Sequence, residues 1–247
     1  MHSYPERIIP EETTAGSLNS HLKRYDFARQ FCQGKIVLDA GCGLGYGTHY
    51  LSDIAKEIRA VDISEEAIAY AKNHYNRQNI WFEAADIHNL NFPDGYFDII
   101  CAFEVIEHLN RPDKFLSEVK RTLKENGIFI ISTPNAKRTS HKSNNPYHKR
   151  EFCKKDFENI LKKYFTTVEI LGQRRRQSSL HYYLQKSDIF HLRAVLPVFL
   201  RRKICHAVAT YSWDEAGLAD FDISKEGLKR ANELIGVCRS YVNEKDI

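Results

Sequence analysis

The stretch FEVIEHLN, residues 103–110, sets Glu104, Glu107 and His108 directly behind FDIICAF, an apolar run with the character of a buried strand. Charge at the end of such a strand is costly unless it is paired or binds something. If a helical turn begins there, the three side chains share a face, because residues three and four apart are neighbours on a helix. Two carboxylates and an imidazole on one face supply three of the four donors of a metal site. A fourth would come from TPNAKRTSHKSNNPYHKREF (133–152), which carries His141, His148 and Glu151 and is too long to be an idle connection. Glu104, Glu107, His108 and His148 are therefore the candidate catalytic and metal-ligating set. An ion there would hold an acceptor hydroxyl and lower its pKa. Mixed carboxylate and imidazole donors suit Mn, Fe or Zn better than an all-oxygen cage would, and Mg is also admitted. Two simpler readings stand beside this one. His108 or His148 acts as a base without an ion, or the acid–imidazole pair only hydrogen-bonds a neighbouring loop.

A second group of residues could hold a ligand. The run VLDAGCGLGYG (37–47) ends an apolar strand in Gly41, Gly43 and Gly45, which let the backbone approach a ligand closely. Asp62 ends the next strand, 21 residues after Gly41, where a carboxylate can accept two ribose hydroxyls. Asp86 follows the third strand, placed to read an adenine amino group. The dinucleotide fingerprint G-x-G-x-x-G fails, because Tyr46 occupies its last glycine position.

Alternating elements must position these groups. KIVLDAG (35–41), EIRAVDI (57–63), IWFEAAD (80–86), FDIICAF (97–103), GIFIIST (127–133), 167–171 and ELIGVCRSYV (233–242) read as seven strands. Helices are expected over 17–31, 46–54, 64–73, 112–123 and 154–165, with Ser64 as an N-cap. Alternation of this kind calls for an α/β fold, a Rossmann-like, doubly wound parallel sheet with helices on both faces. Its ligand then lies at the carboxyl ends of the strands, where Asp39, Asp62, Asp86 and Glu104 all fall.

With those positions fixed, the chain resembles the class I S-adenosylmethionine-dependent methyltransferases. The matching pieces are VLDAGCGLGYG (37–47), AVDISEEAIAYAK (60–72), AADI around Asp86, FPDGYFDIICAFEVIEHL (92–109) and LKENGIFIISTPN (123–135). The resemblance implies S-adenosylmethionine as cofactor, with Asp39 and the turn Gly41, Cys42, Gly43 and Gly45 on its methionine part. It implies Asp62 and Ile63 at the ribose, Asp86 and Ile87 at the adenine, and Phe103 lining the site. Arg24, in HLKRYDFA, resembles the arginine that some relatives place on the cofactor carboxylate. The E-x-x-E-H pattern with a later loop histidine is similar to the ubiquinone-biosynthesis O-methyltransferases and to the small-RNA 3′-terminal 2′-O-methyltransferases. The YHKREF context looks most like bacterial methyltransferases that act on cell-surface glycans. The expected activity is thus O-methylation of a sugar or glycan hydroxyl, with a quinone, phenol or small-RNA acceptor as the alternatives. A non-catalytic module that merely keeps the fold is opposed by the intact turn and both acids.

Composition narrows the rest. Hydrophobic residues make up 43% and charged residues 28%, which fits a globular chain. Cys32, Cys42, Cys101, Cys153, Cys205 and Cys238 form no C-x-x-C pair, which argues against a zinc module or disulfide framework and for reduced thiols in the cytoplasm. The first sixteen residues lack the apolar core of a signal peptide, and no run approaches the roughly 18 apolar residues of a membrane span.

One domain is expected over 1–247, with a cofactor-binding core at 17–172, a basic helical insertion or cap at 173–230, and the last strand and tail at 231–247. Between 173 and 206 lie Arg174, Arg175, Arg176, Lys186, Arg193, Arg201, Arg202 and Lys203 against Asp188 alone, in a chain of net charge +4. This segment reads as a cap over the acceptor site, or as a peripheral contact with the anionic inner face of a membrane. Gripping RNA would call for aromatic platforms on a defined module, which is not visible, so nucleic acid is not the expected partner. A small molecule or glycan is. Nothing in the sequence sets an oligomeric state.

Overall fold

The computed structural model describes residues 7–141, 143, 145–176, 213–226 and 228–240. The strands are β1 (Ile36–Ala40), β2 (Glu57–Asp62), β3 (Ile80–Ala84), β4 (Phe97–Phe103), β5 (Leu123–Pro134), β6 (Thr167–Arg175), β7 (Phe221–Ser224) and β8 (Glu233–Arg239), of which β1 and β4 are apolar runs buried on both faces. They join in one sheet of order β3-β2-β1-β4-β5-β8-β6-β7. The chain reverses its winding between β1 and β4, so the cleft expected of a doubly wound sheet opens there.

The helices are α1 (Ala15–Cys32), α2 (Tyr46–Ser52), α3 (Glu65–His74), α4 (Pro112–Thr122) and α5 (Lys154–Lys162). Alternate strand residues sort them onto two faces. Val37, Ile58, Ile99 and Cys101 pack with Tyr25, Ala28, Cys32 and Leu51 of α1 and α2. Leu38, Ile100 and Ala102 pack with Phe115 and Leu116 of α4 and Phe157 and Leu161 of α5. The Ser64 hydroxyl caps α3 by accepting from the Ala67 amide at 3.2 Å, as its side chain and position predict.

Three expectations are corrected. The sheet has eight strands, not seven: FDIS (221–224) pairs antiparallel with the end of β6, Gly172 opposite Ser224. FDIS alternates apolar and polar, but four residues is the shortest run in which that pattern signals a strand, and it is not among the seven strands expected. The sheet is mixed rather than parallel, because β8 runs antiparallel to both β5 and β6. The described flanks of the 173–230 segment are not helical caps. Gln173, Arg174 and Arg175 belong to β6, and 213–230 holds β7 with 3-10 turns at Trp213–Glu215, Leu218–Asp220 and Leu228–Arg230. The rest of the basic segment, 177–212, and the tail, 241–247, lie outside the described residues. Among the described residues no helix is long and apolar enough to cross a membrane.

Candidate active site

The glycine turn leaves β1 and is tied to β2, the Gly41 and Cys42 amides both donating to the Val61 carbonyl at 2.8 and 3.0 Å. Gly45 sits at φ 83, and a Cβ there would lie 2.8 Å from both Ala71 and the Phe82 ring. Gly43, at φ 55, faces open space instead. Cys42 is buried beside the turn. Asp62 accepts from the Gly43 amide at 2.9 Å and from the Ser64 amide at 2.9 Å. The turn and the carboxylate expected to face a ribose are therefore one hydrogen-bonded unit.

Asp39 is fully buried at the end of β1. It accepts from Thr48 at 2.6 Å and from the Tyr25 hydroxyl at 3.3 Å. Burial pushes its carboxyl up to about 7, against those two hydrogen bonds. Tyr25 in turn stands edge-on to Phe103, ring centroids 4.8 Å apart. Asp86, beyond β3, accepts from the His88 amide at 2.9 Å and meets the His88 ring at 2.7 Å. The His88 backbone N–H holds it below the usual carboxylate range. Ile87 is buried in the core, whereas Ile63 is 70% exposed at the rim, an apolar surface open to a flat ligand.

Arg24 is 1% exposed, and its Nε and Nη2 have no hydrogen-bond partner among the described residues. Burial works against the cation, but Glu104 and Glu233 outweigh it and hold the guanidinium above its ordinary value. A buried side-on edge of this kind fits a two-oxygen anion. Together with the open face of Gly43 and the buried Asp39, it fits the amino-acid end of S-adenosylmethionine.

At the end of β4 the backbone turns sharply. Glu104 has φ 56, rare for a residue with a side chain. Its amide donates to Ser132 Oγ at 3.0 Å, and that hydroxyl donates back to Glu104 Oε1 at 2.6 Å. A 3-10 turn, Ile106–His108, follows. Glu107 is fully buried: Oε2 accepts from Thr133 at 3.1 Å, and Oε1 has no hydrogen-bond partner among the described residues. Burial, then the nearby Glu104, raises its carboxyl well above the usual range. The 133–152 loop is laced to this turn. Lys149 and Arg150 amides donate to the Glu107 carbonyl at 2.8 and 3.1 Å, and His108 Nδ1 lies 3.2 Å from the Tyr147 carbonyl. His148 is thereby carried against His108.

Ligand atoms of Glu107, His108 and His148 all lie within 4.8 Å of one another. Glu104 stands outside this group, because its left-handed backbone turns it towards Ser132 and away from the face of the 3-10 turn. Three of the four expected donors converge. The orphaned Oε1 of Glu107 and the two imidazoles form a donor set that fits a divalent transition ion. With His108 Nδ1 donating to a carbonyl, Nε2 carries the lone pair a ligand needs.

Sequence reasoning does not find Thr48, Ser132, Thr133 or Glu233. The first three are short hydroxyl side chains that matter only through what faces them. Glu233 begins β8 opposite Pro134, is pushed up to about 7 by burial, and feels Arg24 across the sheet edge.

A family model described as "Methyltransferase domain" matches residues 38–131. A Mycolicibacterium smegmatis protein named as a probable S-adenosylmethionine-dependent methyltransferase is 33% identical over 193 residues, 76% of this chain and 71% of that protein. A Coxiella burnetii ubiquinone biosynthesis O-methyltransferase is 36% identical over 105 residues, so the chain spans 45% of that protein and is itself covered over 42%. The same architecture occurs in a solved S-adenosylmethionine-dependent methyltransferase from Archaeoglobus fulgidus, with a TM-score of 0.59, 20% identity, and 91% and 94% of the two chains covered.

Proposed function

From the premise that the chain belongs to the class I S-adenosylmethionine-dependent methyltransferases, we propose that it methylates a sugar hydroxyl of a glycan with the help of a divalent ion. The observation that carries this reading is the convergence of Glu107, His108 and His148 at the carboxyl edge of β4, beside the cofactor turn. S-adenosylmethionine, when bound, supplies an electrophilic methyl group. A divalent ion, when bound, makes an acceptor hydroxyl more acidic.

The remaining work belongs to the protein. Asp39 takes the amino group of the cofactor and Arg24 its carboxylate. Asp62 takes the ribose hydroxyls, leaving the Gly43 face open for close approach. Asp86, Ile63 and Ile87 frame the adenine. Phe103 and Tyr25 close the floor, and excluding water there strengthens every polar contact. Ser132 fixes Glu104 at the rim, where its carboxylate orients the incoming hydroxyl. With the lone pairs of His108 and His148 committed to the ion, Glu104 is left to accept the proton that the hydroxyl loses. The paired donors suit vicinal hydroxyls, which a sugar presents.

A phenol or quinol acceptor is the second reading, favoured by the likeness to the ubiquinone-biosynthesis enzyme over 105 residues. The test is radiolabelled methyl transfer to methyl glycosides and to catechol, with and without chelator, alongside elemental analysis of the purified protein. Labelled glycoside lost on chelation supports the proposal. Labelled catechol alone selects the second reading, and transfer indifferent to chelator in metal-free protein removes the ion.

A further inference from the structure

The segment before α1 has no part in the chemistry above, yet it lies on the cofactor turn. Arg7 Nη2 reaches to 3.8 Å from Asp62 Oδ1, with the two side chains only 12% and 13% exposed. The charge of Arg7 is also felt at Cys42 in the glycine turn. Two residues on, Ile9 packs against Leu44 of the same turn and against Ala67 and Tyr70 of α3. The Tyr70 hydroxyl lies 2.9 Å from each carboxylate oxygen of Glu11. The Ile9 carbonyl accepts from the Glu12 and Thr13 amides at 3.0 and 2.8 Å, and the Ile9 amide donates to Thr13 Oγ1 at 3.1 Å. A folded turn thus bridges the glycine turn and α3, the two walls that flank Asp62.

Burying a guanidinium is expensive unless a charge answers it. Here an answering charge is Asp62, the carboxylate that would also serve the ribose. Asp62 already accepts from two backbone amides, so its position is fixed, and Arg7 balances its charge without a close bidentate grip.

We propose that residues 7–14 form a latch over the adenosine end of the cofactor site, with Arg7 as a positioning residue acting through Asp62 and the Glu11–Tyr70 contact as the tie that holds the latch shut. The cofactor, and afterwards its demethylated product, exchanges when the tie opens. Arg7 stays with Asp62 when the site is filled and slows release.

S-adenosylhomocysteine is the probe, with binding followed by calorimetry and release by stopped-flow displacement. Arg7→Gln should speed release about tenfold, a loss of about 1.4 kcal/mol, while Arg7→Lys, which keeps the charge, should stay within about threefold. Tyr70→Phe lies on α3 and removes only the hydroxyl, yet it should speed release severalfold with the melting temperature of the unliganded protein little changed. Wild-type release rates in Arg7→Gln overturn the latch. So does equal damage in Arg7→Gln and Arg7→Lys with a matching fall in melting temperature, which marks a merely structural role. Wild-type protein that fails to bind the probe overturns the cofactor site and the latch together.

Discussion

The imidazole of His148 stands edge-on to that of His108, ring centroids 4.9 Å apart. The first comes from a long loop and the second from the turn after β4. They meet because two loop amides bind the Glu107 carbonyl and His108 reaches the Tyr147 carbonyl.

His148→Ala should therefore cut methyl transfer by about a hundredfold, because it removes a ligand of the ion that makes the hydroxyl acidic. Metal affinity should fall at least about tenfold in the same variant, by elemental analysis after dialysis. Glu107→Gln keeps the shape of the side chain and removes its charge. It should lose the ion while the protein stays folded. Unchanged metal content in both variants would rule out this ligand set.

Glu104 and Ser132 make a separate prediction. Ser132→Ala removes the partner of both the Glu104 amide and its carboxylate, which should cost about 1–3 kcal/mol in urea unfolding. Glu104→Gly relieves a left-handed backbone worth about 1 kcal/mol or more. That variant should be more stable than Glu104→Ala, which loses the same interactions with Ser132 and Arg24 but keeps the strain, and both should be much less active.

The two glycines differ in what surrounds them. Gly45→Ala puts a Cβ 2.8 Å from Ala71 and Phe82 at φ 83, so it should cost about 2–4 kcal/mol. Gly43→Ala meets nothing within 4 Å and should cost only about 1 kcal/mol. In the proposed cofactor site the added methyl group would crowd the ligand, so S-adenosylhomocysteine affinity should nonetheless drop at least about tenfold. Calorimetry and thermal melts on the two variants separate fold from site.

Asp39 carries the pH dependence. Its carboxyl rises from 3.8 to about 7 on folding, so between those values the folded chain keeps a proton that the unfolded chain gives up. Stability from this group is complete below about pH 4 and is lost as pH rises through about 7. Glu233, also pushed up to about 7, adds in the same direction. Melts of the unliganded protein should fall between about pH 4.5 and 7 and level off above that, and Asp39→Asn should flatten the slope. If Asp39 takes the amino group as proposed, the same variant should also bind S-adenosylhomocysteine more weakly, because a neutral amide brings no charge opposite the ammonium.

Much of this is legible in the sequence. Apolar runs such as VLDA and DIICAF fix their strands, because burial on both faces demands them wherever they pair. Gly45 and Ser64 fix a turn and a cap through their own backbone and side-chain chemistry. The places of Asp39, Asp62 and Asp86 follow, since each ends or follows a strand and all strand ends of that kind gather at one edge. Contacts between distant segments were not legible. FDIS is too short to announce β7, and it becomes a strand only because β6 offers an edge. The E-x-x-E-H spacing suggested one face for three side chains, but the left-handed backbone at Glu104, held by Ser132, sends the first of them elsewhere. Arg7 reads as an ordinary surface charge until Ile9 and Glu11 dock on α3. The sequence sets which groups are present and what each strand or turn must do locally. Which groups meet is decided by packing, because a contact between distant residues carries no local period or spacing in the chain.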